Sequence, residues 1–425
     1  MSDERGEVIG GPHGGSALIV TAAVGAIVSA VLVSDEGVSQ GKLALFFVVC
    51  IAAGEVLRIR MPGGRDTAPI ATAIALAYAM LPSIGGVALT YAVPLVVTVT
   101  AAGSLFGVLL RLAGRRPVPI DDLARRIIIV GCVAGVFRPF LEADGLGRQT
   151  TLAIALLMTA VALLGLALDS LMAALVRAGA DRAPYGQAIV DEFRAMSGID
   201  AAIGATAVLT ALAMPSMGWI AVPIFAVPLV LTQYSFRKFT HIQDTYLQTI
   251  RALSRVTEVG GYTEAGHARR VSRLAVSVGI EMGLSERDVR ELEYAALMHD
   301  IGQLSLEEPI PGGSTLMTSS VSAREIAGLG SSVIKQTGVL DHVAEVVQRQ
   351  ADPYYPGHGQ YDDSIPIESR IIRACNDYDD LVGGSVESDR ILHAVERLHM
   401  GITSEYDPRV VDTLTRIVKR RSGIL

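Results

Sequence analysis

The residues best suited to chemistry are the adjacent pair His299 and Asp300, which end an apolar helical run and are followed closely by a glycine. At helical spacing Val289, Leu292, Ala296 and His299 share one face, so His299 points toward the predicted core. A carboxylate at the edge of such a face is costly unless a cation or hydrogen bonds compensate it. The pair therefore needs a compensating group from elsewhere in the chain.

Two further residues can join this pair. His267 lies in the segment 261–271, and Asp377 lies in the segment 370–381. We expect helices around all four residues, with one opening at Thr263, one starting at the cap-like Ser285, and a loop at 309–313. Period-two alternation is too short for a sheet, so the predicted fold class is all-α. The later predicted helices are 321–329, 339–350, 366–382, 386–400 and 407–420.

Three motifs around these residues resemble a known family. They read Tyr-Thr-x-x-Gly-His-x-x-Arg-Val at 262–271, Met-His-Asp-Ile-Gly at 298–302 and Ile-Pro-x-x-x-Arg-Ile at 365–371. Their order and flanking sequence resemble the HD superfamily of metal-dependent phosphohydrolases, specifically its HD-GYP branch. The resemblance covers about residues 250–420.

The resemblance implies a ligand set and a chemistry. The implied ligands are His267, His299, Asp300 and Asp377, which suit a divalent Mn, Fe, Co, Ni, Mg or Zn ion. Such an ion lowers the pKa of its bound water and stabilises charge on a phosphoryl oxygen. Asp300 would also orient water as a catalytic residue. The candidates for substrate phosphate are Arg269, Arg270 and Arg373, each of which can equally be a solvated helix charge.

The sequence departs from the family pattern at several positions. Gln303 stands where the family carries a catalytic Lys, so it can only hydrogen-bond to substrate. The family's extra His is missing from 324–330 and its paired His from 347–352. The signature survives only as residues 353–356, and His358 does not match the missing ligands. Asp379 and Asp380 are interpreted as a solvated helix end, and residues 419–421 as a basic helix C-terminus.

The first half of the chain has a different composition. Half of the 425 residues are hydrophobic, the mean hydropathy is +0.43 and the net charge is −7, which argues against general nucleic-acid binding. Residues 1–233 are predicted to form a transmembrane region in the lipid bilayer. The three cysteines suggest neither disulfides nor a zinc site. The predicted spans, about eight, are 16–33, 42–57, 68–82, 84–110, 127–141, 150–176, 199–213 and 216–232.

Arginines in alternate loops of this eight-span arrangement place the N-terminus and residues 259–425 in the cytoplasm, on a cell (inner) membrane. Of the charges within the spans, Asp169 is expected to pair with Arg125 or Arg126. Residues 234–258 are predicted to form a connector helix. Its apolar stripe suits a parallel coiled coil and hence a homodimer, or packing on the next domain.

Three functions remain open at this point. One is a membrane-anchored phosphohydrolase or phosphodiesterase acting on a nucleotide or related phosphorylated small molecule. Another is a degenerate domain that binds metal or nucleotide as a signalling receptor without turnover. A third is a transporter with a regulatory HD domain.

Overall fold

A computed structural model describes most of the chain as helices, in two compact units that are treated separately. The first unit comprises residues 1–181 with 188–242, and the second residues 182–187 with 243–425. The predicted loop 309–313 lies outside the described residues except for Ile310, and so does His358. The described residues are 14–36, 40–60, 65–84, 87–89, 91–114, 120–142, 151–181, 184–308, 310, 319–338, 340–355, 361–385 and 387–423.

The first unit is built of apolar helices and two short hairpins. Each predicted span overlaps at least one helix. The helices are α1 (Gly14–Glu36), α2 (Gly41–Val56), α3 (Pro69–Met80), α4 (Val93–Ala113), α5 (Ile120–Glu142), α6 (Thr151–Asp181), α7 (Tyr185–Met217) and α8 (Ala221–Val259), with a 3₁₀ turn at Gly218–Ile220. The strands pair antiparallel as β1 (Ile59–Arg60) with β2 (Asp66–Thr67), and β3 (Ser83–Ile84) with β4 (Val87–Ala88).

Four segments of the described chain are long and apolar enough to cross a membrane. They are Ser16–Asp35, Val93–Ala113, Thr151–Gly179 and Tyr185–Val259, the last of which contains both α7 and α8. With only 12 residues, α3 is shorter than the bilayer core requires. Four segments thus support the membrane character of this region, and the total of about eight transmembrane helices stays a prediction.

Helix boundaries differ from the predicted spans at several places, and two of these differences have a cause in the local structure. The fourth span was expected from residue 84, but α4 begins at Val93 because residues 83–88 form the β3–β4 hairpin. The last span and the connector, predicted separately, form the single helix α8. No glycine interrupts residues 221–259, so the helical pattern continues through the predicted boundary at residue 233.

A buried arginine caps the C-terminal end of α3 by donating hydrogen bonds to its last carbonyls. Arg138 donates from Nε to the carbonyl of Ala79 at 3.0 Å and from Nη2 to the carbonyl of Tyr78 at 2.9 Å. Its guanidinium lies 3.7 Å from the centroid of the Tyr91 ring. A cation at a helix C-terminus and over an aromatic face is favourable. Arg138 therefore has a structural role at this end of α3.

A buried ion-pair cluster joins the helices of the first unit. Asp122 accepts hydrogen bonds from Arg58 at 2.6 Å, Arg126 at 2.8 Å and Arg125 at 3.2 Å. Arg125 Nε also donates to Asp169 at 3.0 Å, which confirms the expected pair. Buried charges are tolerated when they compensate one another, as here. The other members are Glu55, which binds Arg58 and Arg126, and Glu192, which with Asp169 binds Arg65.

The second unit confirms the all-α prediction: its described residues contain no strand. α9 begins at His267, later than predicted, because Gly266 before it takes φ +80°. The Ser285 hydroxyl caps α10 by accepting from Asp288 N, as predicted. The helices are α9 (His267–Met282), α10 (Glu286–Met298), α11 (Ser320–Lys335), α12 (Asp341–Arg349), α13 (Ile367–Val382), α14 (Ser388–Met400) and α15 (Pro408–Ser422), with 3₁₀ turns at Ile301–Ser305 and Gly401–Thr403.

Candidate metal centre

Two buried imidazoles face each other between α9 and α10. His267 is the first residue of α9, and its Nδ1 lies 2.8 Å from Asp379 Oδ2. His299 caps the C-terminus of α10, and its Nδ1 lies 2.9 Å from the carbonyl of Ala296. The two Nε2 atoms are 3.3 Å apart. An outer acceptor on one ring nitrogen fixes the ring and leaves the other nitrogen for a ligand, an arrangement typical of metal-binding histidines.

The carboxylate of Asp300 completes the group. Its Oδ2 lies 3.1 Å from His299 Nε2 and 3.5 Å from His267 Nε2. Ligand atoms of the three residues all lie within 4.8 Å of one another, and all three are buried. Oδ2 is buried without a hydrogen-bond partner. A carboxylate oxygen placed so against two imidazoles fits a divalent cation, which would compensate its charge.

Asn376 of α13 supplies a fourth donor atom that the sequence analysis missed. Its Oδ1 lies 3.0 Å from His267 Nε2 and 3.0 Å from His299 Nε2. An amide oxygen is a neutral metal ligand. The ligand atoms around this point are therefore two imidazole nitrogens, one carboxylate oxygen and one amide oxygen.

Asp377, the predicted fourth ligand, is not brought into this group. Its Oδ2 accepts from the Tyr406 hydroxyl at 2.6 Å, and its Oδ1 accepts from Asn376 Nδ2 at 3.2 Å. Burial raises the pKa of Asp377, against the opposing effects of Arg373 and of its hydrogen bonds to Tyr406 and Asn376. Successive residues of a helix point about 100° apart. Asp377 therefore faces Tyr406 and the adjoining cavity while Asn376 faces the histidines.

The side chain of Gln303 contacts the carboxylate of Asp300. It is fully buried, and its Nε2 donates to Asp300 Oδ1 at 2.8 Å. The intervening Gly302 allows this turn to pack on α11, since a Cβ there would lie 2.0 Å from the carbonyl oxygen of Ile326. The glycine in the His-Asp-Ile-Gly segment thus has a steric cause, and Gln303 positions the carboxylate of Asp300.

Asp379 has a larger role than the expected solvated helix end, and that interpretation is wrong. It is buried, and its carboxylate accepts from His267 and from Arg270, whose Nε lies 2.9 Å from Oδ1. Burial would lower the pKa of His267. The hydrogen bond to Asp379 and the charges of Asp300 and Asp380 outweigh it and raise that pKa to about 9. At neutral pH a metal ion would therefore displace a proton from His267.

A cavity of about 220 Å³ adjoins the centre. Small-molecule sites are usually 300–1,000 Å³, so the described walls leave room for a phosphoryl group with part of a larger ligand. Arg373 lies in the wall and donates to Glu405 at 3.0 Å and to the carbonyl of Ala351 at 2.7 Å; its buried Nε has no partner. The polar lining residues are His299, Asp300, Ser320, Gln350, Arg373, Asn376, Asp377 and Glu405.

The structure separates the three predicted substrate arginines. Arg373 lines this cavity. Arg269 is exposed on α9. Arg270 is turned toward Asp379 and a different cavity.

Comparison with known proteins agrees with the geometry. Residues 244–410 match the family described as HD domain. The chain is 27% identical over 199 residues to the cyclic di-GMP phosphodiesterase response regulator RpfG of Xanthomonas campestris pv. campestris. The aligned region covers 44% of this chain and 52% of that protein. The chain is 24% identical over 197 residues to a cyclic di-GMP phosphodiesterase of Thermotoga maritima, covering 44% and 53%.

The chain thus spans about half the length of the curated relatives it matches. The matched region contains His267, His299, Asp300 and Asn376, together with the outer residues that hold them. Residues 244–410 of this chain therefore match an HD domain, and this match and the two relatives together support an HD-superfamily phosphohydrolase.

Proposed function

We propose that the protein is a membrane-anchored, metal-dependent phosphohydrolase of the phosphodiesterase type. The observation that supports this most directly is the buried group of His267, His299 and Asp300, whose ligand atoms lie within 4.8 Å of one another beside a cavity. The names of the two relatives support a nucleotide-type phosphoester as substrate.

The proposed mechanism assigns a task to each residue of the centre. The metal would be held by Nε2 of His267 and His299, Oδ2 of Asp300 and Oδ1 of Asn376. When bound, it supplies an acidified water and charge stabilisation for the phosphoryl group. Arg373 lines the cavity and has an unpartnered Nε, so in this proposal it would bind a phosphoryl oxygen.

The outer residues would fix this arrangement before substrate arrives. Asp379 orients His267, the carbonyl of Ala296 orients His299, and Gln303 orients Asp300. Such outer contacts are commonly worth 10- to 100-fold in metal affinity or activity. Gln303 is thus a positioning residue in this proposal, in place of the substrate contact expected from its sequence position.

A second function is favoured by the charge of the centre. The four donor atoms carry a single formal negative charge, on Asp300, because Asn376 is neutral. A weakly charged site binds a divalent ion less tightly, and Gln303 offers no cation to a phosphate. The alternative is therefore a signalling receptor that binds metal or nucleotide without turnover.

Metal analysis followed by a hydrolysis screen tests the proposal. The purified full chain would be loaded with Mn, Fe, Mg, Co, Ni or Zn and assayed on cyclic and linear nucleotides, with a chelator-treated sample as control. We expect a divalent ion to bind and chelator-sensitive hydrolysis of a phosphoester. Binding without hydrolysis would favour the receptor. No metal under any loading condition would contradict the enzyme and the metal-binding form of the receptor.

We propose that the first unit anchors the protein in the cell (inner) membrane as a multi-pass protein, with the N-terminus and the HD domain in the cytoplasm. The four apolar segments support the membrane location. α8 runs without interruption from Ala221 to Val259 and so enters both units. A continuous helix can transmit a shift or rotation, and we propose that the membrane region regulates the centre through α8.

We also propose a homodimer through the C-terminal part of α8. Five large apolar side chains of this part are 43–51% exposed and follow one another by three, four or seven residues: Phe239, Ile242, Tyr246, Leu253 and Val256. Ile250, between them, is instead buried in the core of the second unit. An exposed heptad stripe suits a parallel coiled coil.

Cysteine cross-linking tests the dimer. Leu253→Cys in a chain lacking its native cysteines is expected to form an oxidised dimer in membranes. Arg255→Cys, two residues along the same helix and off the stripe, is the control. Equal cross-linking of both variants, or of neither, would contradict the coiled coil.

A further inference from the structure

A second cavity, of about 460 Å³ and open to solvent, is lined by residues of α9, α13, α14 and α15. None of its lining residues also lines the cavity of the candidate metal centre. Its volume falls within the range of small-molecule sites. The function proposed above makes no use of it.

The polar side of this cavity is strongly basic. Three guanidiniums, of Arg270, Arg273 and Arg421, face one carboxylate, that of Asp379. Arg270 is already paired with Asp379 and Glu264. Among the described residues no carboxylate lies within ion-pair distance of Arg273 or Arg421, and Arg421 Nη2 donates to the Ser277 hydroxyl at 2.5 Å. Two positive charges thus remain without an acidic partner.

The protonation equilibrium of Arg421 agrees with this description. Partial burial and the neighbouring Arg420 lower the pKa of Arg421 below its usual value. A facing carboxylate would have raised it. Arg421 is solvent-exposed, so an anion can reach its guanidinium.

The other side of the cavity is apolar. Leu274, Val382, Ile391 and Val418 are all at least 94% buried and contribute aliphatic surface. Tyr378 adds an aromatic ring. An inorganic anion alone would leave this surface uncovered. A ligand with an anionic end and an apolar or aromatic body would satisfy both sides.

We propose that this cavity binds a small phosphorylated ligand with an aromatic body, of about the size of a nucleoside monophosphate, separately from the metal centre. The phosphate would lie against Arg273 and Arg421, and the body against Tyr378 and the aliphatic wall. The contact Arg270–Asp379–His267 links the cavity to the centre, because Arg270 lines the cavity and Asp379 holds the histidine. An anion that draws Arg270 away would weaken the support of His267.

Calorimetric titration of the full chain in lipid nanodiscs tests this site, with adenosine 5′-monophosphate, adenosine and inorganic phosphate as probes. We expect the monophosphate to bind and the two partial probes to bind at least about tenfold more weakly. Arg273→Gln combined with Arg421→Gln should weaken the monophosphate at least about tenfold, since two charged hydrogen-bond donors are lost. Arg269→Gln combined with Arg397→Gln removes the same charge from exposed positions that do not line the cavity and should leave its Kd unchanged.

Three results would overturn the proposal. One is the absence of monophosphate binding to the wild-type chain. Another is equal weakening by the Arg273/Arg421 and the Arg269/Arg397 pairs, which would indicate non-specific attraction. The third is loss of monophosphate binding in Arg373→Gln with retention in the Arg273/Arg421 pair, which would place the ligand at the metal centre. Binding of the monophosphate to a chain that binds no metal and hydrolyses no phosphoester would support this site even if the proposed function failed.

Discussion

Replacement of Asp300 by alanine is expected to lower metal affinity by at least about 100-fold and to reduce any phosphoester hydrolysis to background. The expected loss exceeds the 10- to 100-fold effect of an outer contact because Asp300 is the one carboxylate in the ligand group. Its Oδ2 is also the buried oxygen that lacks a hydrogen-bond partner. Metal content by mass spectrometry and the hydrolysis rate of the most active substrate give the two readouts.

Two further variants make this result interpretable. Asp412→Ala removes an exposed carboxylate from α15 and should leave metal affinity and rate unchanged. Asp300→Asn keeps the shape of the side chain and so guards against loss of folding, which circular dichroism would report. Wild-type metal affinity in a folded Asp300→Ala protein would contradict the assignment of Asp300 as a ligand.

Most helices of the second unit could be predicted from the periodicity of their apolar residues. α13 was expected at 366–382 and extends over Ile367–Val382, because Ile371, Ile372, Cys375 and Val382 bury one side of it. The start of α9 was less predictable. Gly266 adopts a left-handed conformation, and such a stop depends on backbone geometry that composition alone does not report.

In the membrane region the arginines had two possible explanations. Arg58, Arg125 and Arg126 follow the positive-inside pattern, yet the structure buries each of them against carboxylates. Charge counting along a chain does not reveal which charges meet in space. The pair of Arg125 and Asp169, 44 positions apart, could be anticipated only because few carboxylates occur in the spans.

The site itself shows how one residue of register changes a functional assignment. The resemblance to the HD superfamily implied Asp377 as the later Asp of the ligand set. The rotation of about 100° per residue along α13 places Asn376 toward the histidines. Asp379 follows Asn376 by three positions and shares its face, which is the signal that could have identified it as the partner of His267.

The centre as a whole has well-held ligands and a low charge. Hydrogen bonds to Asp379 and to the carbonyl of Ala296, and one donated by Gln303, fix all three residues of the His/Asp group. Their precision argues for a site that still binds metal. The neutral Asn376 argues for weaker binding than a second carboxylate would give, and together with Gln303 it favours the receptor.

Replacement of Asn376 by aspartate is therefore expected to raise metal affinity at least about tenfold. Two unit charges about 4 Å apart interact by about 4 kcal/mol at an effective dielectric constant of 20, and a divalent ion interacts more strongly. Desolvation of the new carboxylate offsets part of this gain, and about 1.4 kcal/mol is enough for a tenfold change. Competition with a fluorescent metal chelator at constant pH measures the difference.

The aspartate variant also separates the two functions. Hydrolysis in the wild type that rises in Asn376→Asp would show a working enzyme limited by metal occupancy. Hydrolysis that appears only in Asn376→Asp would show that the natural chain is a receptor whose asparagine suppresses turnover. Asn376→Leu, which keeps similar volume without an amide oxygen, should bind metal more weakly than the wild type. If all three proteins bind metal equally, Asn376 is not a ligand and the amide oxygen serves only to hold the two imidazoles.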